Sequence, residues 1–473
     1  MENKIPFSFI VIIGLMLFAL FFGAGNLIFP AMLGQSAGSN IWSANMGFLL
    51  TGVGLPLLGV LAFGFSGKED LQSLASRVHP IFGVVFTTVL YLAIGPLFAM
   101  PRTGSVSFEI GVKPFISEGS SSIALLVFTI AFFSITCFFS LNPAKIVDIV
   151  GKILTPIKLT FIGILVVVGF IYPIGKFQAP TDNYTTHSFF NGFQEGYLTM
   201  DALASFVFGI IIINAIKEKG AKTKKQIITV CVKAIGISAV ILAIIYTALS
   251  YIGASSVGKL GHLENGGAVL AKVSNYYFGS YGGVLLGLMI TVACLTTSVG
   301  LTTSCAAYFH KLLPAISYKK LAIGLSVFST IVANIGLTQL ISISVPVLSI
   351  IYPLAIVLII LTFFHPLFNG KSEVYQGSML LTFFVSLVSG INDSGILIPI
   401  DKFFSHYLPF YEILNDSALN ISIINKFFSH YLPMYDIGLG WVIPAIVGGL
   451  LGLGVSMLKN NEQIKYKSTV LDK

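Results

Sequence analysis

A chain of 473 residues that is 55% hydrophobic and 10% charged, with a mean hydropathy of +0.91, has too little polar surface for a soluble globule and reads as a polytopic membrane protein. Its formal net charge of +8 does not point to nucleic acid, because the basic residues are scattered through short loops with no aromatic-interleaved patch. Cys137, Cys231, Cys294 and Cys305 lie inside apolar runs without C-x-x-C spacing, so neither a disulfide framework nor a metal site is indicated.

Apolar runs of bilayer-crossing length fall at 8–33, 41–65, 80–104, 121–140, 147–172, 195–216, 226–252, 281–309, 320–337, 339–363, 377–398 and 438–458. The expected fold class is therefore all-α, with twelve spans. The N-terminus carries one lysine and no A-x-A-like cleavage site, so the first run is expected to be retained as a helix. Eighteen of the 27 basic residues fall in loops that lie inside if the N-terminus does, and six in the outer loops, which puts both termini in the cytoplasm. Lysine outnumbers arginine 25 to 2, a bias typical of an AT-rich bacterial gene.

The first run holds the stretch that organises the rest: Phe22, Gly23, Ala24, Gly25, Asn26, Leu27, Ile28, Phe29 and Pro30. Two glycines, an amide and a proline at mid-membrane predict a broken helix. Irregular backbone survives there only if it is buried in protein or lines a wet cavity, since an unpaired peptide group in hydrocarbon costs several kcal/mol. Bare N–H groups on one side of such a cavity and bare C=O groups on the other can hold a zwitterion and a cation together.

The third run contains Tyr91 and ends at Arg102. Tyr91 is either a packing tyrosine or a substrate ligand. Arg102 either snorkels to the headgroups or pairs with Glu109 or another acid across an outer gate. The sixth run reads E-G-Y-L-T-M-D-A-L-A-S-F-V-F-G and carries Thr199 and Asp201 about one turn in, where an acid is costly and a functional role is the default. The first and sixth runs cross in opposite senses, as an inverted repeat of 8–172 and 195–363 would give, with 377–458 supplying helices 11 and 12.

Between the seventh and eighth runs, Gly253 to Ser280 reads as an external lid or a plain connector. The eighth run holds A-C-L-T-T-S-V-G-L-T-T-S from Ala293 to Ser304. Its hydroxyls can ligate a hard cation, or simply bond their own helix backbone. In the outer loop 392–437, K-F-F-S-H-Y-L-P occurs at Lys402 to Pro409 and again at Lys426 to Pro433, a tandem duplication in a segment where insertions cost little. All seven histidines stand in loops or at span ends, which argues against a buried relay or metal cluster.

Three motifs, G-A-G-N-L-I-F-P, P-L-F-A-M-P-R-T from Pro96 to Thr103 and G-Y-L-T-M-D-A-L-A from Gly196 to Ala204, resemble those of the bacterial branched-chain amino acid:cation symporters, the system II carrier family. The likeness covers essentially the whole chain except the duplicated loop. It implies a LeuT-type five-plus-five fold with two additional helices. It also implies that the N–H groups of Ala24 and Gly25 hold the substrate carboxylate, with Gly23 and Leu198 among the substrate-binding positions and the Tyr91 hydroxyl in reach. Phe22, Ala204 and Phe208 would form the apolar wall. Asn26 and Thr199 would form a first sodium site, and the carbonyls of Ala19, Phe22 and Ala293 with the hydroxyls of Thr296 and Thr297 a second. Asp201 stands where relatives have a small polar residue, and its role is open between the substrate ammonium and a cation.

The function expected is import of leucine, isoleucine and valine with Na+ across a bacterial inner membrane. The alternatives are H+ or Li+ coupling, another amino acid substrate, or an ion channel. No H-E-x-x-H, nucleophile elbow or nucleotide-binding fingerprint occurs, so an enzyme is not expected. The partners expected are the small-molecule substrate and the bilayer, with no obligate protein.

Overall fold

Apolar runs free of glycine and proline coil into helices, because in hydrocarbon only intrahelical bonds satisfy the backbone. The computed structural model describes residues 6–68, 70–141, 155–218, 220–221, 223–394 and 421–471. Its helices are α1 (Phe7–Phe21), α2 (Ala24–Ala37), α3 (Ile41–Leu49), α4 (Leu55–Ser66), α5 (Leu71–Ala75), α6 (Pro80–Leu92), α7 (Ala99–Gly111), α8 (Ser121–Ser140) and α9 (Thr155–Ile171). They continue with α10 (Ser188–Glu195), α11 (Asp201–Glu218), α12 (Lys224–Leu260), α13 (Gly266–Leu312), α14 (Tyr318–Ala333), α15 (Leu337–Phe364), α16 (Ser372–Asp393), α17 (Ile421–Tyr431) and α18 (Val442–Leu471).

Eight helical segments among the described residues are long and apolar enough to cross a membrane, or nine if the bent pair Ser188–Thr199 and Asp201–Glu218 is one span. The sequence led us to expect twelve. The difference comes from interruptions: the first run splits into α1 and α2, α14 is 16 residues long, and the start of the fifth run (147–154) lies outside the described residues. The first copy of the duplicated octapeptide, 402–409, lies outside them too, and the second falls at the end of α17.

The chain divides into two compact units, Met1–Gly64 with Val89–Ser342, and Phe65–Thr88 with Ile343–Lys473. In the first, α2 lies so close to α12 that a Cβ at Gly34 would strike the backbone of Ser250, and one at Gly253 the backbone of Ala31. Small residues of this kind let membrane helices approach without losing dispersion contacts. The segment from Gly253 to Ser280 is mostly helical: α12 runs to Leu260, and α13 starts at Gly266 and breaks at Gly279 (φ 62°). Asn265 Oδ1 caps α13 by accepting from Ala268 N–H at 3.0 Å, and its Nδ2 donates to Thr338 at 3.3 Å.

In the second unit, α16 packs against α18 through Gly377 and Gly448. Arg77 donates to the Tyr375 hydroxyl (3.4 Å) and to the Ser66 carbonyl (3.2 Å), while His365 Nδ1 lies 2.9 Å from the same hydroxyl.

Candidate functional site: a cavity between two helix breaks

The chain leaves α1 because Phe22 (φ −72°, ψ 87°) is no longer helical and Gly23 (φ −119°, ψ −157°) is extended. In a continuous helix Gly23 N–H would bond the Ala19 carbonyl; here it donates to Asn26 Oδ1 at 3.0 Å. Asn26 thus caps its own helix, and the first N–H groups of α2 begin a new ladder.

The second break lies between α10 and α11, whose axes bend by 47°. After a 3₁₀ turn at Gly196–Thr199, Met200 adopts the left-handed region (φ 63°, ψ 11°) and α11 starts at Asp201. The Thr199 hydroxyl donates to the Gly196 carbonyl (2.9 Å) and accepts from Asp201 N–H (3.3 Å).

These breaks meet through side chains. Asn26 Nδ2 donates to Asp201 Oδ2 and to the Tyr246 hydroxyl, and that hydroxyl donates to Asp201 Oδ2 at 3.2 Å. Asp201 is only 4% exposed. Its carboxylate sits in the first turn of α11, where the helix dipole favours negative charge. From α7, Arg102 donates through Nη1 to the Leu198 carbonyl (2.6 Å) and through Nη2 to that of Thr199 (3.3 Å), and its guanidinium lies 5.0 Å from the Phe29 ring centroid. On α13 the hydroxyls of Thr296 (2.7 Å) and Thr297 (3.3 Å) both donate to the Ala293 carbonyl. Thr297 abuts the first break: a Cβ at Gly23 would stand 3.1 Å from its Oγ1.

Between these elements is a cavity whose wall is shared by both helix breaks, α7 and α13. Of the residues expected from the sequence, Gly23, Ala24, Gly25, Asn26, Thr199, Asp201, Ala204, Phe208, Thr297 and Arg102 line it.

Ala19, Leu198, Ala293 and Thr296 are not part of the lining. The Phe22 ring is turned away, stacked on Phe18 one helical turn earlier (5.0 Å); Phe21 takes the expected wall position and meets Phe208 edge-on at 5.9 Å. Tyr91 also lies off the cavity, with its ring stacked on Tyr308 at 4.3 Å.

Glu109, the gate partner expected for Arg102, pairs with Lys113 at 2.7 Å. Arg102 does not snorkel: it is 4% exposed and faces the cavity. Sequence reasoning missed Leu20, Phe21, Ile94, Ala99, Thr103, Met200 and Leu301 in the lining, and Tyr246 in the polar network. A tyrosine inside the seventh apolar run was the one signal for the last.

Two interrupted membrane helices that turn fresh N–H groups, an acid and threonine oxygens toward one buried cavity define a carrier of the broken-helix class. Solved structures share the path. Mhp1, a nucleobase-cation-symport-1 family transporter in a closed conformation with bromovinylhydantoin bound, matches with a TM-score of 0.58 over 95% of this chain and 92% of its own, at 10% identity. MhsT in complex with L-phenylalanine matches with a TM-score of 0.52 over 94% and 97%, at 16% identity. At such identities the likeness is one of fold, the LeuT fold.

Sequence narrows the class. The profile described as "Branched-chain amino acid transport protein" matches residues 8–414. The branched-chain amino acid permease BrnQ of Bacillus subtilis is 64% identical over 97% of this chain and 99% of its own length. The branched-chain amino acid transport system 2 carrier protein of Pseudomonas aeruginosa is 45% identical over 80% of this chain and 86% of its own. The chain belongs to the branched-chain amino acid transport protein family and is a multi-span membrane transporter, not an enzyme.

Proposed function

We propose that this transporter is a secondary symporter that imports leucine, isoleucine and valine with Na+ by alternating access, across a bacterial inner membrane with both termini in the cytoplasm. The observation that carries this reading is the meeting of both helix breaks at one cavity. The first N–H groups of α2, at Ala24 and Gly25, suit a carboxylate, and Asp201 suits an ammonium group. The apolar remainder, with Phe21, Ala204 and Phe208, offers the aliphatic side chain no hydrogen-bonding partner. Such a wall discriminates by size alone, about 1–3 kcal/mol per methylene, so the three substrates compete.

For the cation, uncharged oxygens suit a hard monovalent ion. Ala293 O, Thr296 Oγ1 and Thr297 Oγ1 already converge and Thr297 abuts Gly23, which supports a site completed by the carbonyls of Ala19 and Phe22. A first site at Asn26 and Thr199 uses the lone pair of Asn26 Oδ1 that Gly23 N–H leaves over. The five-plus-five repeat of 8–172 and 195–363 supplies the two bundles that rock against one another.

The buried Asp201 carboxylate favours proton coupling as the second reading. The test is uptake of labelled leucine into proteoliposomes under an imposed Na+ gradient or an imposed pH gradient, each alone. Accumulation driven by sodium, with weakened sodium dependence in Thr297→Ala, supports symport at the proposed site. Accumulation driven by the pH gradient alone replaces sodium with the proton, and uptake indifferent to both excludes symport.

A further inference from the structure

Arg102 is a cation buried in the middle of a membrane protein, where a charge is retained only against a substantial desolvation cost. A structural account is at hand: the guanidinium braces the 3₁₀ turn before the second break by holding the carbonyls of Leu198 and Thr199. That account does not explain where the guanidinium points.

A Cβ at Gly25 would stand 3.0 Å from Arg102 Nη2 and 3.3 Å from both the Phe29 ring and Thr199 Cα. A side chain there would press on the guanidinium where it meets the start of α2. The missing Cβ instead brings two attractors for an anion together, the first N–H groups of α2 and the planar fork of an arginine. The Phe29 face and the two carbonyls hold that fork in one orientation.

The charges in the cavity wall are also balanced. Among the described lining residues Arg102 is the one base and Asp201 the one acid. A zwitterion bound between them meets a countercharge at each end, whereas a ligand with only one charged end leaves one of them facing it without a countercharge.

We propose that Arg102, together with the N-terminus of α2, forms the subsite for the substrate's α-carboxylate and makes the transporter selective for free α-amino acids over their amides, esters and alcohols. This rests on the placement of the substrate carboxylate at Ala24 and Gly25 put forward above. It turns Arg102 from a brace into a residue that touches substrate and determines specificity.

The test compares leucine with leucinamide and leucinol, whose side chain and protonated amine are those of leucine, by direct binding to the purified full-length protein at mildly acidic pH. Wild type is expected to prefer leucine by at least about 30-fold, the scale of a charge-assisted pair. In Arg102→Gln the preference is expected to fall below about fivefold through loss of leucine affinity alone, with Arg102→Lys intermediate because it keeps the charge without the fork.

A brace would weaken all three ligands together and leave their ratios as in wild type; that result overturns the proposal. Should Arg102→Gln not fold, Gly25→Ala decides the matter, since its methyl displaces the guanidinium at the start of α2 without removing the charge, and an unchanged ratio there overturns it equally. Absence of preference in wild type sinks the carboxylate placement itself, so the two failures are told apart.

Discussion

At the first interruption the chain turns on Gly23 and is held from within, by the side chain of Asn26 three residues on. At the second it turns on Met200, a residue with no liking for the left-handed region, and the carbonyls before it are held from another helix by Arg102. The first break is thus written in its own residues. The second has a local cap too, the Thr199 hydroxyl, but the carbonyls before Met200 are held from α7. The second break leans more on a neighbouring helix, which makes it the more natural place for motion that responds to a ligand.

The most damaging way to probe this contrast is Asn26→Ala. It removes the cap on Gly23 N–H and the donor to Asp201 at once, at about 1–3 kcal/mol for each buried group left unmade, so initial rates of leucine uptake per folded protein should fall by about a hundredfold. The partner change Asp201→Asn separates two roles. If the carboxylate takes the substrate ammonium, apparent leucine affinity collapses at saturating sodium; if it serves the cation, high sodium restores transport.

A milder change, Tyr246→Phe, deletes one bond to Asp201 and should raise the apparent Km for leucine by about five- to tenfold without loss of folded protein. An unchanged Km would mean that Asn26 alone positions the acid.

The backbone terms are smaller still. Met200→Gly and Met200→Ala lose the same buried side chain but differ in left-handed strain, so the glycine variant should be the more stable by about 1 kcal/mol in thermal unfolding. At Gly23, where the backbone is extended, alanine meets the Thr297 side chain first, and Thr297→Ser should recover part of what Gly23→Ala loses. If Gly23→Ala is as harmful in the Thr297→Ser background as in the wild-type one, the first break is held by more than its own residues.

The smallest effect lies away from both breaks. In the second unit, burial first, then the charges of Arg77 and Lys68, hold the His365 imidazole below its ordinary 6.5. Above 6.5 both the folded and unfolded chains are neutral there. As pH falls from 6.5 the unfolded chain takes up the proton first, so stability declines until the lower folded-state value is passed. A slight drop in melting temperature on acidification, absent in His365→Asn, should leave the leucine-to-leucinamide ratio untouched.

How much of the site was legible follows from the same contrast. Gly23, Gly25, Asn26 and Pro30 announce a broken helix because each acts on the local backbone, and Thr199 and Asp201 announce a polar cost in hydrocarbon. Met200 announces nothing, since its conformation is imposed by what surrounds it. Phe21 and Phe22 differ by one residue, which on a helix is about 100° of direction, and hydropathy has no term for that angle. Tyr91 and Tyr246 are both tyrosines in apolar runs, and only their neighbours, Tyr308 for one and Asp201 for the other, separate a packing ring from a ligand of the acid.

Composition and the lengths of the apolar runs were enough to make this chain an all-helical membrane protein, because in lipid a backbone has so few ways to satisfy its own polar groups. The motifs in the first, third and sixth runs were enough to place it in its family. Which side chains face the cavity, that Arg102 turns inward beside Gly25, and that Tyr246 reaches Asp201 across 45 residues of chain were decided only by tertiary packing. Those relations depend on helix phase and on contacts between distant segments, neither of which a local stretch of sequence contains.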